Sequence, residues 1–434
     1  MTDVAHPGTI PCRTRDSFVP ALFFFSPLVT SAAPRLTWLF LTLISLALIV
    51  PLRNEWRGYI RTSTALIPLL LIVFYAFLSV SWAADRGAAL EKSSLLLVTI
   101  LLAYVGSRAV AGWDEARLSR AAIGFVAGAF LGALFVLTEL VTHGAITRFA
   151  ATLFSLLRPD SSKLGVAETA NIGTADFRRN VAILVLHLWP GLLVLSAIAG
   201  RTRRAILIGL FVLAVAIPVA ISERESSQLA LVGSFLVFLL ACQWRGGAVR
   251  VLAVLWCLGF VLVLPLVFSA FKADLHMKPW LPNSARARII LWDFTAERTL
   301  ERPWLGIGAA STAALKQPNA IAEKPTGFLY PRSTGPHAHS LFLQVWYELG
   351  AVGVLLFICA GVALVMRIPM LAFESQPFAA ATFAAFVGSV SVAWGIWQTW
   401  LMCGVGLMLL YLLVAARSRP AMPRMQSTSR PPGS

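Results

Sequence analysis

"VLAVLWCLGFVLVLPLVFS", Val251 to Ser269, runs for nineteen residues without a charge. A helix rises 1.5 Å per residue, so such a run can cross the roughly 30 Å hydrocarbon layer of a bilayer. Composition agrees. Of 434 residues, 58% are hydrophobic and 13% charged, against about 25% charged in an ordinary soluble domain. A soluble core exposing this much apolar surface would aggregate. The stretch reads as a membrane-spanning helix, and the chain has room for about a dozen.

Similar runs occupy residues 18–33, 36–52, 63–82, 92–107, 121–142, 180–200, 205–222, 228–243, 250–269, 341–366, 378–395 and 398–416. The fold class expected is therefore an all-α polytopic membrane protein with about twelve transmembrane helices. The first two runs are short and the last two are divided only by "GIWQTW", so eleven or thirteen spans fit as well.

The formal charge is +16. A basic balance fits nucleic acid or an anionic membrane. Here most arginines sit in short loops between apolar runs, which points to membrane lipids and orientation, and to no nucleic-acid partner. With the N-terminus in the cytoplasm, the inner loops carry Arg53, Arg57 and Arg61, then Arg108, Arg117 and Arg120, then Arg201, Arg203 and Arg204, then Arg245 and Arg250, then Arg367. The short outer loops "AADRGAALEK" and "SERESSQ" are poorer in cations. The layout expected is a cytoplasmic N-terminus at 1–17 and nine helices over 18–269, with an outer loop at 143–179. A large outer loop follows at 270–340, then three helices over 341–416 and a disordered cytoplasmic tail at 417–434. Residues 1–17 do not resemble a cleavable signal, so the first run reads as an uncleaved span. Long loops translocate regardless of their charge, and loops this long are usually functional.

Cys242, Cys257, Cys359 and Cys403 lie in apolar runs, Cys12 does not, and no CxxC occurs. Neither a disulfide framework nor a metal site is implied.

Candidate chemistry collects at the outer ends of the runs. His339 closes the polar loop "STGPHAH" and precedes the helix "SLFLQVWYELGAVGVLLFICAGVALV". An imidazole there can take a proton near neutral pH. It can equally cap or pack a helix start. His337 is two residues away, so it would not share a helical face with His339, though a loop could bring both to one cavity. In "NSARARIILWDFTAERTLERPWLGIG", residues 283–308, Ile289, Ile290, Trp292 and Phe294 suggest an amphipathic helix along the outer interface, with Arg288 and Trp292 on one face. Arg178 and Arg179 stand at the mouth of the sixth run, with Asn180 behind them. A guanidinium pair there can grip phosphate oxygens bidentately or snorkel to lipid headgroups. Arg224 lies between Glu223 and Glu225, where it fits an ion pair or the same cationic site. His187 sits inside a run and reads chiefly as a packing residue. The sequence holds no Walker loop, no GxGxxG after a strand, no HExxH, no Cys/His metal spacing and no DxD pair. The chemistry expected therefore uses neither nucleotide nor metal cofactor.

Taken in order, these motifs resemble the signature of the O-antigen ligase and polymerase superfamily. His339-Ser340, nine residues, then Gly350-Ala351-Val352-Gly353 is similar to its histidine-to-GxxG spacing. Arg288, three residues, Trp292 and then "RPWLGIG" resemble its arginine–tryptophan stretch. The resemblance covers most of the chain in layout and residues 283–353 in specific motifs. It implies a fold like the GT-C type of lipid-linked-sugar glycosyltransferase, in a bacterial inner membrane with the active site facing the periplasm. The activity implied is metal-independent, inverting transfer of a glycan from undecaprenyl pyrophosphate to a sugar hydroxyl of lipid A-core. The resemblance makes His339 the essential histidine and Arg288 the loop arginine, and Arg179, with Arg178 beside it, the arginine of the sixth-span mouth. Chain polymerases and protein O-oligosaccharyltransferases share these residues and remain alternatives. A polytopic transporter or flippase is the reading of a different class. It predicts charges lining an intramembrane path, whereas Glu139 and Glu348 are the main charges inside the predicted spans.

Overall fold

Each of the twelve apolar runs contains a helix. The computed structural model describes residues 18–50, 66–157, 177–222, 224–315, 320–322 and 330–418, which form fourteen α-helices. In chain order these are α1 (Phe18–Ala32), α2 (Thr37–Ile49), α3 (Leu66–Ser79), α4 (Arg86–Ala109), α5 (Glu115–Val141), α6 (Ala145–Leu157) and α7 (Arg178–Leu195). They continue with α8 (Arg201–Ile221), α9 (Glu225–Gln243), α10 (Arg245–Lys272), α11 (Asn283–Thr299), α12 (Leu341–Val365), α13 (Gln376–Ser391) and α14 (Thr399–Arg417). One short antiparallel strand pair, Ala320–Ala322 with Tyr330–Arg332, departs from the all-helical pattern. The expected N-terminal segment 1–17, residues 158–176 of the first long loop and most of the tail lie outside the described residues.

Among the described residues, eight helices are long and apolar enough to cross a membrane: α4, α5, α7, α8, α9, α10, α12 and α14. α1, α2 and α3 are apolar but shorter. The chain is a polytopic, helical membrane protein. Outward-facing apolar side chains such as Val254, Val261 and Leu266 of α10 are more than half exposed, as a lipid-contacting surface requires.

Local chemistry sets the helix starts. Asp85 accepts from Ala88 N at 2.9 Å to open α4, and Asp114 accepts from Arg117 N at 2.8 Å to open α5. Packing sets the rest. Gly124, Gly128 and Gly132 make a strip four residues apart on α5 that receives α1. A Cβ on Gly128 would sit 1.9 Å from the Phe24 carbonyl oxygen. Small residues at such a crossing let backbones approach closely, which drives helix association where water does not. α7 is the central helix, buried at every residue from Asn180 to Leu195. His187, on α7, packs edge-on to Phe125 and Tyr411, with ring centroids 5.8 and 5.6 Å away, so it is a packing residue.

Contacts between distant connections show which helix ends share a level. Asn180 Nδ2 donates to Ser31 O at 2.7 Å, and Thr37 Oγ1 donates to Trp400 O at 3.0 Å. Ala309 N donates to Ser79 Oγ at 3.0 Å, and Ser284 Oγ donates to Glu225 Oε1 at 3.0 Å. These contacts gather the α1–α2, α3–α4, α8–α9, α10–α12 and α13–α14 connections at one end, with the start of α7. At the other end Trp113 Nε1 donates to Leu48 O at 3.0 Å, and the Arg245 guanidinium lies 3.3 Å over the Phe373 ring.

One expectation is corrected. α11 is not an interfacial helix: Ile289, Ile290, Leu291, Phe294 and Ala296 are all buried, because α10 and α12 cover it. The amphipathic helix with an open apolar face is α6, whose Ile146, Phe149 and Leu153 are exposed at helical spacing.

Candidate functional site

The site is built on a break in α12. Gly350 has φ +61°, a conformation in which a side chain would be strained, and it interrupts the helical ladder. In an apolar layer the freed backbone groups need partners, and the segment 303–308 supplies them. Ile307 N donates to Tyr347 O at 3.1 Å and Gly308 N to Glu348 O at 2.9 Å. In return Ala351 N donates to Pro303 O at 2.8 Å. The Tyr75 hydroxyl donates to Leu349 O at 3.1 Å. The approach demands glycine on both sides: a Cβ on Gly306 would meet Glu348 O at 2.4 Å, and one on Gly350 would meet Trp304 O at 2.4 Å. "GIG" and "GAVG", read apart in the sequence, are two halves of one joint.

Glu348 lies beneath this joint, fully enclosed, and its carboxylate gathers five donors. Oε1 accepts from Thr312 N at 3.1 Å, Thr312 Oγ1 at 2.5 Å and Gln344 Nε2 at 3.3 Å. Oε2 accepts from Ala310 N at 3.1 Å and from Trp397 Nε1. Gln344 turns its own Oε1 to Ile396 N at 3.1 Å. One carboxylate therefore ties α12 to the loop 309–312 and to the loop 393–398.

The second loop holds the histidine. His339 Nδ1 is 3.0 Å from Ala393 O. A carbonyl can only accept, so Nδ1 carries the proton, and in the neutral ring Nε2 keeps its lone pair. His339 has φ +51°. That turn is fixed by its own N–H, which donates to His337 Nδ1 at 3.2 Å. His337 therefore has the opposite tautomer, with its proton on Nε2. The two rings lie 4.0 Å apart at 55°. Trp292 Nε1 donates to Ala338 O at 2.8 Å, clamping the residue between them onto α11.

Electrostatics keeps both imidazoles neutral. Burial pushes the His337 pKa down to about 3, helped by the nearness of His339, which disfavours two protonated rings, and by the Arg178 charge. Burial also lowers that of His339, with Arg288 and Arg178 lowering it further, while the Ala393 carbonyl opposes them. The same charges show which groups share the site. Arg288 and Arg178 both act on His339, and Arg179 is half-buried beside Arg178 and near Arg35. The arrangement is that of an uncharged base whose Nε2 keeps its lone pair, within the electrostatic reach of Arg288 and Arg178. A polar hydroxyl could lose a proton there while a phosphate leaves.

The structure thus brings together His339, His337, Trp292, Arg288, Arg178 and Arg179. Arg224 is half-buried at the start of α9, at the same end, but is not among the charges that act on His339. Sequence reasoning passed over Arg35, Gln344, Trp397 and Thr312, and noted Glu348 only as an intramembrane charge. That carboxylate, alone in an apolar run and four residues from Gln344, was the signal for the network. Arg286 was not singled out either. It is buried, with Nε donating to His276 O at 2.9 Å and Nη1 to Asn283 Oδ1 at 3.2 Å, and shapes the entry to α11. Among the described residues no group of three His, Cys, Asp or Glu side chains is placed to hold a metal ion.

Residues 208–358, which run from within α8 through most of α12, match the family described as O-antigen ligase. The chain is 23% identical over 335 residues to a Rickettsia conorii protein named "Putative polysaccharide ligase", covering 76% of this chain and 75% of that one. A protein of the same name from Rickettsia felis is 24% identical over 335 residues, with 76% and 75% covered. One from Rickettsia prowazekii is 24% identical over 352 residues, with 80% and 79% covered.

Proposed function

We propose that this chain, similar to the O-antigen ligase family over residues 208–358 and to polysaccharide-ligase relatives over most of its length, transfers a glycan from undecaprenyl pyrophosphate to a sugar hydroxyl of lipid A-core. It does so at the periplasmic face of a bacterial inner membrane, with the arginine-poor end of the bundle outward. The observation that carries the chemistry is the His339 Nδ1–Ala393 O contact of 3.0 Å, which leaves Nε2 its lone pair within the electrostatic reach of Arg288 and Arg178.

His339 Nε2 takes the proton of the acceptor hydroxyl as that oxygen attacks the anomeric carbon from the side opposite the leaving group. The bond from the anomeric carbon to the pyrophosphate oxygen breaks, and its electron pair stays on the pyrophosphate. The configuration inverts. Arg288, Arg178 and Arg179 stabilise the charge that develops there, as preorganised cations in a partly water-excluded site. Arg224, by its place, is the weaker member of this group. The fold proposed is of the GT-C type with twelve spans, α6 and α11 belonging to the periplasmic loops.

Transport is the weaker alternative, because Glu348, the carboxylate nearest the site, is committed to structure, while Glu139 keeps one buried oxygen without a partner among the described residues. Glu139 Oε1 accepts from Thr147 N at 2.9 Å, and Glu348 is saturated by its five donors. Polymerases and protein O-oligosaccharyltransferases would use the same site, and the names of the relatives favour ligation. The test is direct: purified protein, lipid-linked glycan and lipid A-core are incubated with a chelator and the products separated. A ladder on lipid A-core, lost in His339→Asn, supports ligation. Lengthening of the lipid-linked glycan alone makes it a polymerase. Undiminished transfer by folded His339→Asn removes the base.

A further inference from the structure

Beside the joint at Gly350 lies a cleft of about 360 Å³ that the chemistry above does not use. Among the described residues its walls include Trp82, Tyr347, Ile307, Arg298, Glu301 and Arg302. Aromatic faces receive the C–H side of a sugar ring, and a guanidinium pair receives a phosphoryl group bidentately. Arg298 is held by Glu301 at 2.5 Å, but both groups are partly in solvent, where such a pair contributes little and exchanges readily for a bound anion. The Trp82 indole N–H is buried with no hydrogen-bond partner among the described residues.

Position narrows the ligand. Two helices lead from the His339 centre to this cleft. Leu341 to Tyr347 on α12 is about 9 Å of helix, and Arg288 to Arg298 on α11 is about 15 Å. α12 enters the apolar layer as it leaves His339, so the cleft lies on the membrane side of the base. Next to its lining residues Glu301, Arg302 and Ile307 in sequence, the chain exposes apolar side chains: Leu300 is 58% exposed, Trp304 72% and Leu305 48%. A molecule that fits all three features has acyl chains at the rim, a phosphorylated sugar in the cleft, and a short saccharide reaching outward to Nε2.

We propose that this cleft binds the phosphorylated head sugar of the acceptor glycolipid, and so measures which sugar along its saccharide meets His339. The proposal rests on the reading of His339 as the base. Its test separates the two. Binding of lipid A-core, intact or phosphatase-treated, is measured on detergent-purified His339→Asn protein, with and without Arg298→Ala plus Arg302→Ala. The double change weakens binding of the intact lipid about 10- to 100-fold, the scale of one charge-assisted hydrogen bond, and leaves the treated lipid unchanged. In otherwise wild-type protein the same pair raises KM for acceptor while kcat and donor use hold. Should the alanine pair fold poorly, Arg298→Lys with Arg302→Lys keeps the charge, loses the fork and gives a smaller loss. Equal binding of intact lipid by all variants overturns the cleft, as does equal competition by phosphatidylglycerol or by inorganic phosphate. Transfer that survives His339→Asn overturns the base and leaves the binding result standing.

Discussion

A histidine in the left-handed region is costly for most side chains and tolerable for asparagine and histidine. At 339 the cost is met by one hydrogen bond to His337, which makes His337 a positioning residue. Asparagine can offer an oxygen where the imidazole offered Nδ1, so His337→Asn keeps most of the turnover. His337→Ala loses one hydrogen bond of about 1 kcal/mol and hence roughly fivefold to tenfold in kcat, measured at saturating donor and acceptor. The pH dependence follows from the lowered proton affinities. His339 titrates below the ordinary 6.5, so activity is level at neutral pH and falls only on the acid side of that value. His337 binds its proton near 3 when folded and near 6.5 when unfolded, so the unfolded chain holds more protons between those values. Its contribution to stability is therefore complete above 6.5 and is lost as pH falls toward 3, at up to about 1.4 kcal/mol per pH unit. Thermal unfolding in detergent from pH 7 to 4 checks this, and His337→Ala should flatten the slope. The spacing from His339 to Gly350 was readable in the sequence. The tautomers were not, because the atoms that set them belong to Ala393 and to the backbone of residue 339 itself.

At the scale of elements, the predicted helices were found because hydrocarbon thickness imposes a run length that composition alone reveals. α11 was misjudged because its apolar side looks the same whether lipid or protein covers it. The broken helix was hidden for a related reason. A glycine inside an apolar run is common, and only the facing carbonyl of Trp304 shows why residue 350 has no alternative. Gly350→Ala should therefore cost several kcal/mol, well beyond the roughly 1 kcal/mol range of an ordinary helical substitution, and thermal unfolding would show it. Glu348 gives a sharper test. Each of its oxygens receives at least one N–H, so an amide in its place sets N–H against N–H whichever way it turns. Glu348→Gln is then no milder than Glu348→Ala, each losing about 1–3 kcal/mol or more from unsatisfied buried groups. A near-neutral glutamine variant would show that the network is not held by charge.

Across the whole molecule, the parts of the site come from residues 35, 178, 288, 339 and 393, so no local window contains it. What unites them is alternation: each crossing returns the chain to one end, and the arginines sort the two ends. The loops that share a level with His339 are cation-poor where short, and those at the opposite end hold Arg201, Arg203 and Arg204. By the positive-inside rule this sorting is what a periplasmic site, as proposed, requires. Single cysteines in a background cleared of Cys12, Cys242, Cys257, Cys359 and Cys403 decide the matter. Ser284→Cys, exposed at the start of α11, should react with a membrane-impermeant maleimide on intact cells. Arg203→Cys, exposed at the start of α8, should react only after permeabilisation. The reverse pattern would place His339 in the cytoplasm, away from any periplasmic donor, and would remove the ligase reading whatever the chemistry of the imidazole. Labelling of both positions from outside would instead break the alternation between α7 and α11, on which the shared end depends.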